Sequence, residues 1–263
     1  MALTTAQKVR RSLARDGLAA TVWLVARNVG ARVDALLPWT RRKRYRETAF
    51  DRQFGIETTA PVARTDLDIP AALVDHIVRY DPTSVEGFRR VLEALDIDHA
   101  AYRFVDLGAG KGRTLLLASE LPFREIIGVE LSPKLSAVAA RNIARYRSPT
   151  QRCRNIRCVC TDAAQFQFPP GPLVLYLYNP FHLQIMTAVM ERLERSLRDD
   201  PRDVLIAYVN PQYRDCLDQL AWLRPLTSGS LSARNWPHHQ PLPTDQSYIV
   251  YAFDRGGLAT SAQ

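Results

Sequence analysis

Residues 104–113 read Phe-Val-Asp-Leu-Gly-Ala-Gly-Lys-Gly-Arg, an apolar run that ends in an acid and passes through three alternating glycines into a helix-forming stretch. Such a segment predicts a βα junction, because glycine lets the backbone turn sharply and come within contact distance of a ligand where any Cβ would intrude. The N-terminus of the following helix then faces the same spot. The surrounding chain has the matching rhythm. Short β-rich runs at 102–107, 125–130, 156–161, 173–178 and 204–209 alternate with helical patterns at 114–120, 133–146, 183–197 and 212–220. This alternation predicts an α/β, doubly wound, mostly parallel sheet with helices on both sides. After Trp222 the helical pattern stops, and the runs 226–233 and 247–254, joined by the Pro-rich stretch 236–245, predict a terminal hairpin. Ahead of the first strand, Phe88, Val91, Leu92 and Leu95 share one face of a helix that follows Pro82, with Thr83 and Glu86 spaced as a capping box.

Charge divides the chain differently. The first 60 residues carry twelve Lys/Arg against five Asp/Glu, a formal +7 of the total +8, so the remaining 203 residues are nearly neutral. Leu18, Val22, Val25, Val29, Val33 and Leu36 recur at helical spacing and form one apolar stripe that ends at Pro38. The apolar run 18–26 is about half of what a bilayer requires, so no transmembrane span is expected. No cleavage pattern for a secretory signal follows it. Residues 1–79 are therefore read as a basic helical N-terminal extension or lid, and 80–263 as the ligand-binding domain. An acidic partner, nucleic acid or a membrane surface, would meet the run 41–46 first, with a solvated charged face as the plain alternative. The 46% hydrophobic content excludes disordered and low-complexity readings.

Four cysteines without Cys-x-x-Cys spacing indicate a reduced, cytoplasmic protein. Cys158 and Cys160 alternate along one strand and are expected to be buried packing residues. No metal is expected, since His238 and His239 lack a third ligand.

The acid in front of the glycines decides among nucleotide-type ligands. The dinucleotide fingerprint has glycine where Arg113 stands, and Asp106 would repel a pyrophosphate. Asp106 suits instead the ammonium of an amino-acid-bearing cofactor such as S-adenosylmethionine. Glu130, at the end of the second strand, is placed to accept hydrogen bonds from two ribose hydroxyls, with Leu131 beside it. Asp162, after the third strand, is a candidate acceptor for the adenine amino group and Ala163 a candidate backbone contact; a turn cap is the other reading of Asp162. Gly108, Ala109, Gly110, Lys111 and Gly112 complete the expected cofactor contacts.

In these motifs the chain resembles the class I (Rossmann-like) S-adenosylmethionine-dependent methyltransferases over roughly residues 80–254, with Val-Asp-Leu-Gly-Ala-Gly-Lys-Gly as the first motif. The resemblance implies a seven-stranded sheet with its last strand antiparallel, and a cofactor that carries the methyl group. A second resemblance lies in Tyr80-Asp81-Pro82-Thr83-Ser84, which is similar to the element ahead of the glycine turn in non-SET protein-lysine methyltransferases. It implies that Tyr80 and Thr83 touch the cofactor's methionyl end, where Thr83 as a helix cap is the other reading.

Ligands in such sheets bind beyond the carboxyl ends of the strands, which places the methyl acceptor over Tyr178-Asn179-Pro180-Phe181. Asn179 can accept a hydrogen bond from an amine through its side-chain oxygen, and it also borders the cofactor. Pro180 extends the backbone before it, and Tyr178 and Phe181 form an apolar or cation-friendly wall. The segment resembles the Asn-Pro-Pro-Tyr motif of amino-methylating enzymes without its second proline. His182 is a candidate base, with a solvent-facing position in the first helical turn as the other reading. Residues 50–59, broken by Gly55, are a candidate lid or substrate-contacting segment. The expected activity is methyl transfer to an amine, with protein lysine the leading acceptor. The alternatives are a small-metabolite methyltransferase and a non-catalytic cofactor-binding module with a nucleic-acid-binding arm.

Overall fold

The computed structural model of the chain describes residues 48–60, 62, 67–69, 82–231 and 247–260. The basic helix expected over 18–36, the run 41–46, Tyr80, and the Pro-rich stretch with His238 and His239 lie outside the described residues.

Seven strands form one sheet: β1 (Arg103–Leu107), β2 (Glu125–Glu130), β3 (Ile156–Cys160), β4 (Leu173–Tyr178), β5 (Val204–Val209), β6 (Leu223–Ser230) and β7 (Ser247–Phe253). Their order is β3-β2-β1-β4-β5-β7-β6, and only β7 runs antiparallel to its neighbours. The chain therefore reverses direction of travel between β1 and β4, the switch point at which sheets of this kind open a crevice. Besides a helical stretch at 48–54, the helices are α1 (Val85–Glu93), α2 (Arg113–Ala118), α3 (Pro133–Arg145), α4 (Leu183–Asp199), α5 (Arg214–Asp218) and α6 (Arg255–Thr260).

Strand alternation builds two cores. Val105, Leu107, Ile127, Val129, Leu175 and Leu177 face Met186, Val189, Met190 and Leu193 of α4. Phe104, Ile126, Val174 and Tyr176 point the other way, against Phe88 and Val91 of α1 and Leu115 and Leu116 of α2. Buried on both faces, β4 and β5 read as unbroken apolar runs and β2 as one bounded by Glu125 and Glu130, and their predicted limits coincide with the observed ones.

Several local expectations are corrected. The cap of α1 is Ser84, whose Oγ accepts from the Gly87 N–H; Glu86 pairs with Arg90 one turn on, so Thr83 and Glu86 form no capping box. β6 starts at Leu223 and crosses Pro225, which has no N–H to give; the register shifts between Pro225 and Thr227 to skip that missing donor. β3 is an edge strand, so Cys160 is exposed and only Cys158 is partly covered. Burial raises the Cys158 thiol to about 12 despite the nearby Ser136 hydroxyl, so it is an inert packing group. Among the described residues no cluster of three or more His, Cys, Asp or Glu could hold a metal, and no helix is long and apolar enough to cross a membrane.

Residues 50–59 are not a lid over the crevice. They form a strap behind the glycine turn, held by the side chain of Asn142 on α3. The Asn142 amide donates to the carbonyls of Glu57 and Lys111, both at 2.9 Å, and its oxygen accepts from the Glu57 N–H at 3.0 Å. Lys111 reaches back to Glu57 at 2.5 Å. Asp51 closes the strap on itself by accepting from the Thr58 and Thr59 N–H groups, each at 2.7 Å. Because Asn142 is almost fully buried, Asn142→Ala strands three backbone groups and should lower stability by roughly 2–4 kcal/mol, measured by urea unfolding.

Candidate functional site

The glycine turn leaves β1 and enters α2 through residues that L side chains rarely tolerate. Gly108, Gly110 and Gly112 have φ of +91°, +55° and +79°. At Gly108 the reason is a protein contact as well as a ligand: an added Cβ would stand 2.6 Å from the Pro180 Cβ. The turn from β1 and the Asn-Pro step after β4 therefore touch, and the two parts of the predicted site share one wall.

A single cleft at the carboxyl ends of β1, β2 and β4 is bordered by Thr83, Asp106, Gly108, Ala109, Gly110, Glu130, Leu131, Asp162, Ala163, Tyr178, Asn179, Pro180 and Phe181. These are all predicted site residues. Lys111 and Gly112, expected among the cofactor contacts, lie outside this lining. The Lys111 side chain turns toward the strap, and Gly112 packs on α3, where an added Cβ would meet Ala139 Cβ at 3.1 Å. His182 precedes α4 and shares a 2.9 Å hydrogen bond between Nδ1 and the Tyr213 hydroxyl; it does not border the cleft, which corrects its reading as a base.

Two carboxylates dominate the electrostatics. Glu130 is buried and accepts from the Gly110 N–H and the Ser132 N–H, both at 2.8 Å, so it ties the glycine turn to the start of α3. Burial raises its pKa, and these backbone donors oppose the rise. Asp106 has less help: the Thr114 hydroxyl donates to it, yet burial and the charge of Glu130 push its pKa up to about 7. Tyr176, on the strand beside it, carries a fully buried hydroxyl without a well-formed hydrogen bond. Its pKa is raised well above the ordinary value by burial and by Asp106, with Thr83 softening the rise. Asp162 uses one oxygen to cap the following turn at the Ala164 N–H, 2.9 Å, while the residue still borders the cleft; the cap and the lining coexist.

Sequence reasoning missed Arg113, Thr114, Ser132, Tyr176, Asn210, Ile185, Leu67 and Ile69 at the cleft. Arg113 lies over the Phe50 ring at 5.2 Å and donates to the Thr59 hydroxyl at 3.3 Å, which links the cleft to the strap. For Asn210 a signal existed, since Asn210-Pro211 repeats the Asn179-Pro180 step at the end of the next strand.

A deep cleft with two buried acids, one of them poised near neutrality, and a glycine turn backed by a carboxylate fits a cationic nucleoside with an amino-acid tail. The sheet is that of the Rossmann-like methyltransferase fold. Residues 104–200 match a family model described as a methyltransferase domain. No curated protein matches the chain. Among solved structures it is similar to a putative RNA methyltransferase from Pyrococcus horikoshii, at 16% identity over 72% of this chain and 92% of that one, with a TM-score of 0.49. It is also similar to a magnesium protoporphyrin IX methyltransferase from Synechocystis PCC 6803 solved with bound S-adenosylmethionine, at 14% identity over 65% and 80%, with a TM-score of 0.46. The match assigns a methyltransferase domain to residues 104–200, within a sheet whose strand order is β3-β2-β1-β4-β5-β7-β6.

Two outcomes follow for the acids. Glu130→Ala should weaken S-adenosylhomocysteine binding by roughly 1–3 kcal/mol in calorimetry, because the Gly110 and Ser132 amides that shape the cleft lose their shared acceptor. Asp106 holds a proton in the folded state up to about pH 7, whereas the unfolded chain releases it near 3.8. Its contribution to ligand-free stability is therefore largest below that unfolded value and falls as pH rises toward 7, by at most about 1.4 kcal/mol per pH unit. Cation binding runs the opposite way: affinity for S-adenosylhomocysteine should rise up to about tenfold per pH unit below 7 and level off above it. Asp106→Asn should flatten both profiles in thermal melts and calorimetry.

Proposed function

We propose that the protein transfers a methyl group from S-adenosylmethionine to an amine, with the lysine side chain of a protein as the leading acceptor. The observation that carries this reading is Asn179 at the carboxyl end of β4. It is buried and borders the same cleft as the two acids, and its φ of +40° makes the backbone before Pro180 left-handed, not extended as the proline led one to expect. A non-glycine residue kept in that conformation is costly, and such strain collects at working sites.

The walls on this side suit an alkyl amine. Tyr178, Phe181 and Ile185, with Leu67 and Ile69, offer apolar surface for a methylene stem. The Asn179 oxygen takes one hydrogen bond from the Tyr208 hydroxyl at 3.3 Å and keeps its second lone pair for an amine N–H. No histidine borders the cleft among the described residues. An amine that enters deprotonated brings its own lone pair, so the reaction asks the protein for position and dryness more than for a base. S-adenosylmethionine supplies an activated methyl on a positively charged sulfur that departs as a neutral thioether. Asp106 and Glu130 hold the amino-acid and ribose parts, Asn179 orients the acceptor nitrogen, and the aromatic walls exclude water.

The test is a labelled-methyl screen with the full chain against dialysed cell-extract protein and against the small-molecule fraction. Label in protein, recovered as methyl-lysine, supports the reading; label confined to dialysable compounds overturns it. Asn179→Gly, which keeps the backbone conformation, should lower turnover about 10²-fold, a loss well beyond the fall in S-adenosylhomocysteine affinity read by calorimetry.

A further inference from the structure

β4 and β5 end in the same way. Tyr178 is followed by Asn179-Pro180, and Val209 by Asn210-Pro211. Tyr178 pairs with Val209 in the parallel register, so the two asparagines leave the sheet side by side at its ligand-binding end. Among the described residues they are the two non-glycine positions with positive φ, +40° at Asn179 and +50° at Asn210. Asparagine tolerates that region better than other L residues, but it is still strained there, and the same strain kept twice on neighbouring strands points to use. Both residues border the cleft.

The bonding of the pair divides the work. The Asn210 N–H donates to the Ser247 carbonyl and its own carbonyl accepts from the Gln212 N–H, each at 2.8 Å, so the turn is held through the backbone. Its side-chain amide makes no hydrogen bond among the described residues. The Tyr208 hydroxyl, on β5 two residues before Asn210, accepts from the Tyr213 N–H at 3.2 Å and donates to the Asn179 oxygen at 3.3 Å. β5 therefore both steadies Asn179 and presents a second amide beside it.

We infer that Asn210 is the second amide of the acceptor site, and that the oxygens of Asn179 and Asn210 accept the two N–H hydrogens of a primary amine. The inference rests on the reading of β4 as the place of an amine acceptor and names how that amine is recognised. A neutral primary amine has two hydrogens and one lone pair. When both hydrogens are taken by a pair of oxygens on one side, the lone pair is left pointing away from that pair. A singly methylated amine has one hydrogen fewer, so it keeps one of the two contacts and is held less well. The pair thus selects primary amines and favours a single transfer.

Sinefungin tests this without turnover, because it carries a primary amine on carbon where the cofactor carries methyl on sulfur, whereas S-adenosylhomocysteine carries nothing there. Calorimetry on the full chain should show sinefungin bound more tightly than S-adenosylhomocysteine. Asn210→Gly keeps the left-handed backbone without strain and should remove about tenfold of that preference while S-adenosylhomocysteine affinity stays within about twofold. Asn210→Asp keeps an oxygen at the same position and should retain the preference. An unchanged preference in Asn210→Gly, or an equal loss for both nucleosides, overturns the role of Asn210. Failure of the unaltered chain to bind either nucleoside would instead remove the cofactor reading beneath it.

Discussion

The carboxylate of Glu130 is the constraint on which the site is built. A buried charge is tolerated only when it is hydrogen-bonded, and here the backbone donates one N–H to each carboxylate oxygen, from Gly110 and from Ser132, which leaves each oxygen room for a further donor. One side chain therefore draws the glycine turn after β1 and the start of α3 after β2 onto a common point and leaves an acidic floor between them. Asp106, one strand over, shares that floor with a single hydroxyl partner, and so its proton is loosely committed near neutral pH. A ligand with positive charge resolves what the protein alone leaves uncompensated.

The turn is gripped from behind as well. Lys111 and Gly112 sit within the glycine motif yet serve the rear, where Lys111 meets Glu57 and Gly112 lets α3 approach. Asn142 locks the strap to the Lys111 carbonyl, and Arg113 runs from the cleft to Phe50 and Thr59. The face toward the cleft is thus left to backbone and to small residues. The strap at 50–59 helps to hold the glycine turn without lining the cleft.

Much of this was legible because several signals were local. Central parallel strands are apolar on both faces, so β2, β4 and β5 could be read to the residue, and an acid followed by alternating glycines has few uses at a βα junction. The errors share a cause. Thr83 and Ser84 are equally good caps by type, and only packing of Thr83 at the cleft and of Ser84 over Gly87 separates them. His182 looked free beside the acceptor motif because Tyr213, its partner, is 31 residues away. Cys160 resembled Cys158 until β3 proved to be the sheet edge.

By itself the sequence determined the order of elements, the acid-led turn, the carboxylate on the second strand and the Asn-Pro step on the fourth, since each depends on residues within about ten positions of one another. Only the tertiary structure decided which members of those motifs face the cleft, that Gly108 yields its Cβ to Pro180, and that Asn210 joins Asn179. Those facts depend on strand order and on which face of the turn the strap covers. Contacts between segments far apart in the chain set them, and no local pattern of residues records such contacts.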